Sequence, residues 1–234
     1  MAYLTTSQLA RDTLEKIGAP RDKIIIYPFS SIRSNQILSS ESRIELQNTC
    51  RTRLGLSSKK IILYVGQFIH RKGVDVLLRS LNDTDFQDID VYIVGSSPTE
   101  EYKKIIKERH LQNIHFLSFM LPDELDKYYK AADCFVLPTR EDVWGLVINE
   151  AMARGLPIIT TDMCLAGREM VNDGINGYLV PAEDEVELRA AMLKVMYNDE
   201  LRKKMSEESL KIAKKYTIET MVDAYQKGIE RLSN

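Results

Sequence analysis

The stretch CFVLPTREDVWGLVINEAMARGLPIITT, residues 134–161, contains the repeating unit of the predicted fold. An apolar run at 134–138 is followed by a polar loop at 139–145 and by an apolar helical pattern at 145–155. A second run, rich in β-branched residues, follows at 157–161. This order predicts two parallel strands joined by a helix that packs on their sheet.

The same alternation of apolar runs and helical patterns extends along most of the chain. The runs are apolar at nearly every position, which is expected of strands whose sheet is covered by helices on both faces. We therefore predict an α/β fold with a doubly wound, Rossmann-like parallel sheet and extra C-terminal helices. The predicted strands are 23–28, 60–66, 90–95, 113–118, 134–138, 157–161 and 177–180, and the predicted helices are 73–81, 98–110, 122–132, 145–155, 184–197 and 199–215, with one more helix at the C-terminus.

Composition limits the kind of protein this is. The chain has 234 residues and a net charge of -2, so no general electrostatic attraction to nucleic acid is expected. Its three cysteines are too few and too scattered for a disulfide framework, and they have no metal-ligand spacing with histidine. There is no apolar run of about 18 residues, and residues 1–20 lack the apolar core of a signal peptide. We expect a cytoplasmic protein without a metal site.

Ligands of parallel sheets bind at the carboxyl ends of the strands. The loops expected at that edge are rich in glycine, serine, aspartate or basic residues. Asp88 and Asp90 precede a strand and lie at the opposite edge, so we exclude them as a metal-binding pair. The loops at the ligand edge are 66–73, 95–101, 118–124, 139–145 and 161–167.

An acid within the apolar helix indicates a ligand site. Glu150 shares a helix face with Leu146 and Val147, and burying an acid costs several kcal/mol unless it has partners. Gly145, at the helix start, lets a phosphate approach free N–H groups. Glu150 lies about 7 Å further along the axis, roughly the distance from a diphosphate to its ribose. Taken alone, Glu150 also fits contact with solvent or with an interior arginine.

The loop GQFIHRKG, residues 66–73, supplies candidate cations. Lys72 or Arg71 would neutralise a diphosphate. Gly66 and Gly73 would leave room for a ligand beside the backbone. No P-loop or GxGxxG motif is present, so the NTPase and dinucleotide interpretations lack their motifs.

Six segments in order resemble the family 4 (group 1) glycosyltransferases of GT-B fold, specifically their C-terminal, donor-binding domain. The resemblance implies an enzyme that transfers a sugar from a UDP- or GDP-sugar to a glycan or lipid-linked acceptor, for example in polysaccharide biosynthesis. It also implies retention at the anomeric carbon and no obligatory metal or other cofactor. The segments are VGQFIHRKGVDVLL (65–78), VYIVGSSP (91–98), NIHFLSFMLPDEL (113–125), YYKAADCFVLPT (128–139), EDVWGLVINEAMARGLPII (141–159) and DGINGYLV (173–180).

The resemblance assigns roles to residues of these segments. It implies that Lys72 contacts the donor diphosphate, that Glu150 holds the ribose hydroxyls and that the backbone of Gly145 and Leu146 receives the distal phosphate. The base would lie at Phe119 and Met120. The implied donor-binding residues are Gly66, Gln67, Arg71, Lys72, Gly95, Phe119, Met120, Glu141, Asp142, Gly145, Leu146, Val147 and Glu150, with Lys72, Asp142 and Glu150 as the catalytic residues.

The chain departs from the family pattern at three positions. The family pairs two acids with seven residues between them, and counting back from Glu150 gives Asp142, where Glu is more usual. Asp142, or Glu141 beside it, would then bind hydroxyls of the transferred sugar. Gln67 replaces an arginine that many members aim at the diphosphate, and Ser97 replaces a frequent glycine.

The family has two domains, and the resemblance covers one. We expect residues 1–40 to be a remnant of the N-terminal, acceptor domain with its linker, and residues 41–234 to be the donor domain. The strand at 23–28 would then lack sheet partners, and an exposed apolar strand pairs readily with another chain. We therefore predict a homodimer or a partner subunit through residues 1–30. The missing domain or partner would also provide any peripheral attachment to the inner face of a membrane.

Two other functions fit these observations. One is a non-catalytic nucleotide-sugar binding module, or a subunit of a split glycosyltransferase. The other is a different GT-B enzyme such as a nucleotide-sugar epimerase, against which the stretch EDVWGLVINEAMA at 141–153 argues.

Overall fold

The computed structural model describes residues 2–233, except for the side chains of residues 232 and 233. The strands are β1 (Tyr3–Thr5), β2 (Ile24–Ile26), β3 (Lys60–Val65), β4 (Ile89–Gly95), β5 (Ile114–Ser118), β6 (Cys134–Leu137), β7 (Ile158–Thr161) and β8 (Gly177–Val180). The helices are α1 (Gln8–Lys16), α2 (Ser40–Leu54), α3 (Val74–Ser80), α4 (Asp83–Phe86), α5 (Glu100–Glu108), α6 (Pro122–Ala131), α7 (Leu146–Ala153), α8 (Leu165–Met170), α9 (Glu185–Met196), α10 (Asp199–Ala213) and α11 (Ile218–Ser233).

The central sheet has six parallel strands in the order β5-β4-β3-β6-β7-β8. The chain runs outward from β3 to β5, returns to β6 beside β3 and then runs outward to β8. The strand order therefore reverses between β3 and β6, and the carboxyl ends of these two strands form the ligand crevice expected of such sheets. The doubly wound α/β prediction is confirmed.

Helices cover both faces of this sheet. The side chains of Ile62, Ile93, Phe135 and Ile159 are fully buried, one on each of four neighbouring strands. In one group of helices α3 contacts α5 and α9, and in the other α2 contacts α6 and α10. This two-sided burial explains why the strands are apolar throughout rather than alternating.

The crevice opens because β3 and β6 pair over a short length. Their pairing joins Ile62 with Cys134 and Leu63 with Phe135, whereas β3 pairs with β4 along its whole length. The loop after β3 contains a 3-10 turn, His70–Lys72, which ends at Gly73.

Gly73 is required for packing rather than for ligand space. Its φ is 70°, and a Cβ there would lie 1.9 Å from the carbonyl oxygen of Pro138. The loop after β3 therefore contacts the backbone of the loop after β6. The expectation that Gly73 leaves room for a ligand is wrong, because the backbone of Pro138 fills that space.

The expectation that the strand at 23–28 lacks sheet partners is also wrong. β2 pairs in parallel with β1, in a separate two-stranded sheet, and Ile24 and Ile25 are buried. Helix α11 contacts β2, and the rings of Tyr27 and Tyr225 lie 4.5 Å apart between centroids. A strand of three residues is too short to produce a recognisable pattern, which is why β1 was not expected.

Helix α2 has no counterpart among the predicted helices. Its buried residues are Arg43 and Cys50, and the remainder are partly or fully exposed, so it shows no apolar stripe. Its ends are nevertheless well formed, since Ser39 caps the first turn and Gly55 ends the helix in the left-handed conformation. Within residues 2–233, no helix is long and apolar enough to cross a membrane.

Candidate functional site

A cavity of about 370 Å³ lies in the crevice between β3 and β6. We call it the lysine pocket. It brings together eight of the predicted donor-binding residues from the two loops and the first turn of α7. Its lining is Phe29, Val65, Gly66, Gln67, Arg71, Lys72, Asp142, Trp144, Gly145, Leu146 and Val147.

The centre of the lysine pocket is an ion pair. Lys72 Nζ donates a hydrogen bond to Asp142 Oδ2, and the two side chains are only 13% and 10% exposed. Arg71 Nη1 lies 4.0 Å from Asp142 Oδ1. Removing two charged groups from water is costly, and their mutual attraction offsets that cost only when the two groups are well oriented toward each other. Asp142 therefore holds the cations of the pocket in place.

The turn that carries Lys72 is fixed by the loop after β6. The hydroxyl of Thr139 and the backbone N–H of Arg140 both donate to the carbonyl oxygen of Arg71, at 2.7 Å. The guanidinium of Arg140 makes two bonds to the carboxylate of Asp75, at 2.8 and 2.7 Å. These bonds raise the pKa of Arg140 above its ordinary value. The hydrogen bonds to the Arg71 carbonyl oxygen thus hold the turn that carries Lys72, and the Arg140–Asp75 ion pair holds the loop after β6 against α3.

The first turn of α7 carries free backbone N–H groups. Gly145 has φ of 100°, and a Cβ there would lie 2.8 Å from Cys164 Sγ, so glycine is required. Within the described residues, the N–H groups of Leu146 and Val147 have no hydrogen-bond acceptor. An anion is stabilised at such a helix terminus.

A second cavity of about 370 Å³ lies between α6 and α7. We call it the glutamate pocket. Three more of the predicted donor-binding residues line this cavity, namely Phe119, Met120 and Glu150. Its full lining is Ser31, Ile32, Gln36, Phe119, Met120, Pro122, Leu125, Asp126, Tyr129, Glu150 and Arg154.

Glu150 is partly buried and has a specific partner. Tyr129 Oη donates a hydrogen bond of 2.9 Å to Glu150 Oε2. Burial raises the pKa of Glu150 by more than the hydrogen bonds from Tyr129 and Ser31 and the charge of Arg154 lower it. Burial also keeps the pKa of Tyr129 well above its ordinary value, so this phenol stays a donor. Glu150 is therefore a carboxylate that would gain from further hydrogen-bond donors.

Two predicted residues do not join either pocket. Glu141 is exposed and lines a different cavity with Leu9 and Val143, so Asp142 is the acid that faces Lys72. Gly95 lines neither pocket. A Cβ there would lie 2.1 Å from the carbonyl oxygen of Gly66, so this position faces the neighbouring strand. Its missing side chain allows two strand ends to approach each other.

The pocket residues Tyr129, Asp126 and Arg154 were not predicted. Arg154 follows Glu150 by four residues, so helical periodicity places both on one face of α7 and was a usable signal. Tyr129 and Asp126 reach the pocket from α6, and their contacts depend on how the two helices pack. Among residues 2–233, no three His, Cys, Asp or Glu side chains are grouped so that they could hold a metal ion.

Comparison with known proteins places the chain in a family. The family model described as glycosyl transferases group 1 matches residues 48–212. An uncharacterized glycosyltransferase of Methanocaldococcus jannaschii is 33% identical over 175 residues, which are 74% of this chain and 48% of that protein. The alpha-D-kanosaminyltransferase of Streptomyces kanamyceticus is 26% identical over 231 residues, covering 95% of this chain and 58% of that protein.

The fold has solved counterparts. The structure of Anabaena Alr3699/HepE in complex with UDP and glucose aligns with a TM-score of 0.78 at 20% identity, over 100% of this chain and 63% of that one. The chain spans about half the length of the curated relatives it matches. Sequence match, sheet topology and shared fold agree, and the chain belongs to the group 1 glycosyltransferases, with the GT-B fold of their C-terminal domain.

Proposed function

We propose that this chain is the donor-binding domain of a retaining glycosyltransferase. It would bind a nucleotide diphosphate sugar, a UDP- or GDP-sugar, for transfer to a glycan or lipid-linked acceptor, as in polysaccharide biosynthesis. The observation that carries the proposal is the arrangement along α7, where free N–H groups and Lys72 lie at its start and Glu150 lies one turn further on. This order matches the diphosphate and the ribose of one ligand.

The diphosphate would lie in the lysine pocket. Lys72 and Arg71 supply positive charge, and the N–H groups of Leu146 and Val147 supply hydrogen bonds. Gln67 lines the same pocket and offers a neutral donor where many relatives would have a charged one. These groups offset the phosphate charge, so we propose that no metal is obligatory.

The nucleoside would lie in the glutamate pocket. Glu150 has a raised pKa because it is partly buried, and two ribose hydroxyls would stabilise its ionised form. Phe119 is exposed beside Met120 at the mouth of this pocket, and both would cover the base.

Donor binding would change the partner of Asp142. A diphosphate near Lys72 competes for the ammonium that Asp142 now holds. The released carboxylate would accept hydroxyls of the transferred sugar. During transfer, Lys72 and the start of α7 would stabilise the negative charge that develops on the departing diphosphate. The acceptor would attack from the face on which the nucleotide leaves, and configuration would be retained.

The relatives support this proposal. Alpha-D-kanosaminyltransferase and a phosphatidyl-myo-inositol mannosyltransferase of Mycobacterium leprae are among them, and their names describe sugar transfer. The Alr3699/HepE protein, which has the same fold, was solved in complex with UDP and glucose. A lipid-linked acceptor would bring the chain to the inner face of a membrane as a peripheral protein.

Calorimetric titration of the chain with UDP- and GDP-sugars, with and without magnesium, tests the donor site. We expect metal-independent binding, and we expect Lys72→Ala and Glu150→Ala each to weaken it at least about tenfold, or about 1.4 kcal/mol. Lys104→Ala is the control, because Lys104 is exposed on α5, away from both pockets.

Unchanged affinity in both variants, with thermal melts showing a folded protein, would contradict the site assignment. The melts are necessary because removal of Lys72 leaves the carboxylate of Asp142 without its closest partner. Donor binding without transfer or hydrolysis would instead favour a non-catalytic binding module or one subunit of a split glycosyltransferase.

A further inference from the structure

The glutamate pocket contains a guanidinium that the proposed donor contacts do not use. Arg154 is the residue that ends α7, and its side chain is only 10% exposed. Its Nε donates a hydrogen bond of 2.7 Å to Asp126 Oδ1. The other oxygen of Asp126 lies 2.5 Å from Lys130 Nζ. Asp126 therefore fixes the orientation of Arg154 within the pocket wall.

One end of this guanidinium has no partner. Arg154 Nη1 is buried and makes no hydrogen bond within residues 2–233. Arginine carries five N–H donors and no acceptor, and a buried donor without a partner costs about 1–3 kcal/mol. Asp126 does not serve it, since its Oδ1 accepts from Nε and its Oδ2 faces Lys130. Arg154 also lines the glutamate pocket, so a rotation of its guanidinium would present this donor and its positive charge to a ligand there.

The position of Arg154 along α7 indicates which part of a ligand would meet it. The free N–H groups lie at 146–147, Glu150 follows, and Arg154 lies about 6 Å beyond Glu150 along the helix axis. A nucleotide has its phosphates, ribose and base in this order. If the first two occupy the positions proposed above, the base is the part that reaches Arg154.

We propose that Arg154 determines base specificity by donating to the carbonyl oxygen at C4 of uracil or at C6 of guanine. Uracil and guanine have a carbonyl where cytosine and adenine have an amino group, and an amino group would point its own hydrogens at the guanidinium. The site therefore prefers UDP over CDP and GDP over ADP. This inference rests on the proposed function, because it requires the nucleoside to occupy the glutamate pocket.

Titration of the whole chain with UDP, CDP, GDP and ADP provides the test. We expect the wild type to bind at least one keto nucleotide about tenfold or more tightly than its amino counterpart. Arg154→Met should weaken the keto nucleotide at least about tenfold and the amino counterpart by less than about threefold, so that the preference disappears. Arg109→Met is the control and should leave both affinities unchanged, since Arg109 pairs with Glu185 on the surface.

Equal wild-type affinity within each pair would overturn the inference, and so would an equal loss for all four nucleotides in Arg154→Met. If nucleotide binding still depends on Lys72 and Glu150 in these cases, the donor site stands and only the role of Arg154 is wrong. If the wild type binds no nucleotide, both proposals fail. Should Arg154→Met not fold, Arg154→Gln is the second variant, because its amide has an acceptor as well as donors and can pair with either a keto or an amino group; an unchanged preference in that variant would also overturn the inference.

Discussion

Glu150 lowers the stability of the fold and would contribute to ligand binding. Burial raises its pKa above the ordinary value of 4.5, so its ionised form is less favourable in the folded chain than in the unfolded one. The wild-type protein should therefore lose stability, relative to a variant without this charge, as the pH rises through the interval between the two pKa values. A bound ribose would remove part of this penalty.

Glu150→Gln should accordingly raise the melting temperature at neutral pH and weaken nucleotide-sugar binding. The amide oxygen still accepts the hydrogen bond from Tyr129, so the packing of α6 on α7 is kept. Thermal unfolding of both proteins between about pH 4 and pH 8 checks this, because the gain should be absent at the acidic end and present at the neutral end. The exposed Glu108→Gln serves as the control. A variant that is less stable than the wild type at neutral pH would contradict the prediction.

The sequence reveals some residues of the site and not others, for a physical reason. Glu150 and Lys72 stand out locally, one as an acid in an apolar helix and one as a cation in a loop at the ligand edge. Tyr129 reaches Glu150 only because α6 packs beside α7, which no local pattern encodes. Gly95 was predicted to contact the ligand, whereas it allows close packing of two strand ends. In the sequence, a glycine required for packing cannot be distinguished from a glycine that makes room for a ligand.

At the scale of elements, the site depends on contact between the loops that follow β3 and β6. Gly73 lies at this contact, with φ of 70° and the carbonyl oxygen of Pro138 where a Cβ would be. Gly55, at the end of α2, has a similar φ of 62° but open space around it. The two glycines differ in packing and hardly in backbone conformation.

Gly55→Ala should cost about 1 kcal/mol of unfolding free energy, since only the left-handed backbone is strained. Gly73→Ala should cost about 1–3 kcal/mol more, because the backbones of both loops must move apart. It should also weaken nucleotide binding, since Lys72 precedes Gly73. Urea unfolding and titration of the two variants give this comparison directly. Equal losses of stability would show that the loops adjust easily and that their contact does not position Lys72.

The strands of the central sheet were predictable, and several helices were not. All six strands of the central sheet coincide with predicted apolar or β-branched runs, and five of them are buried at most positions, whereas the edge strand β5 is only partly buried. Helix α2 lacks such a mark because it contributes mainly charged and polar contacts, including hydrogen bonds from Arg43 to the carbonyl oxygens of Lys130 and Ala132. A pattern based on hydrophobicity cannot detect a helix that is held by polar groups.

At the scale of the whole molecule, residues 2–26 contain α1 and a separate two-stranded sheet, which contact the rest through α8 and α11. Glu169 of α8 accepts a hydrogen bond of 3.0 Å from the backbone N–H of Gln8, at the start of α1. Helix α11 covers one side of β2. Association through residues 1–30 stays a prediction, and its basis changes. The large apolar residues that are exposed within residues 2–26 are Leu4 on β1, Leu9 on α1 and Ile17 after α1.

Exposed apolar side chains favour contact with another copy or with a partner subunit where they form a common surface. If copies associate through it, the mass measured by light scattering should rise with concentration toward that of a dimer. Leu4→Glu combined with Ile17→Glu should return the protein to a monomer, because both introduced charges would have to be desolvated in the contact. Val186→Glu, at a position as exposed as Ile17 but on α9, should leave the association unchanged. A wild type that stays monomeric at high concentration would exclude the homodimer and leave a different subunit as the partner to be sought for this surface.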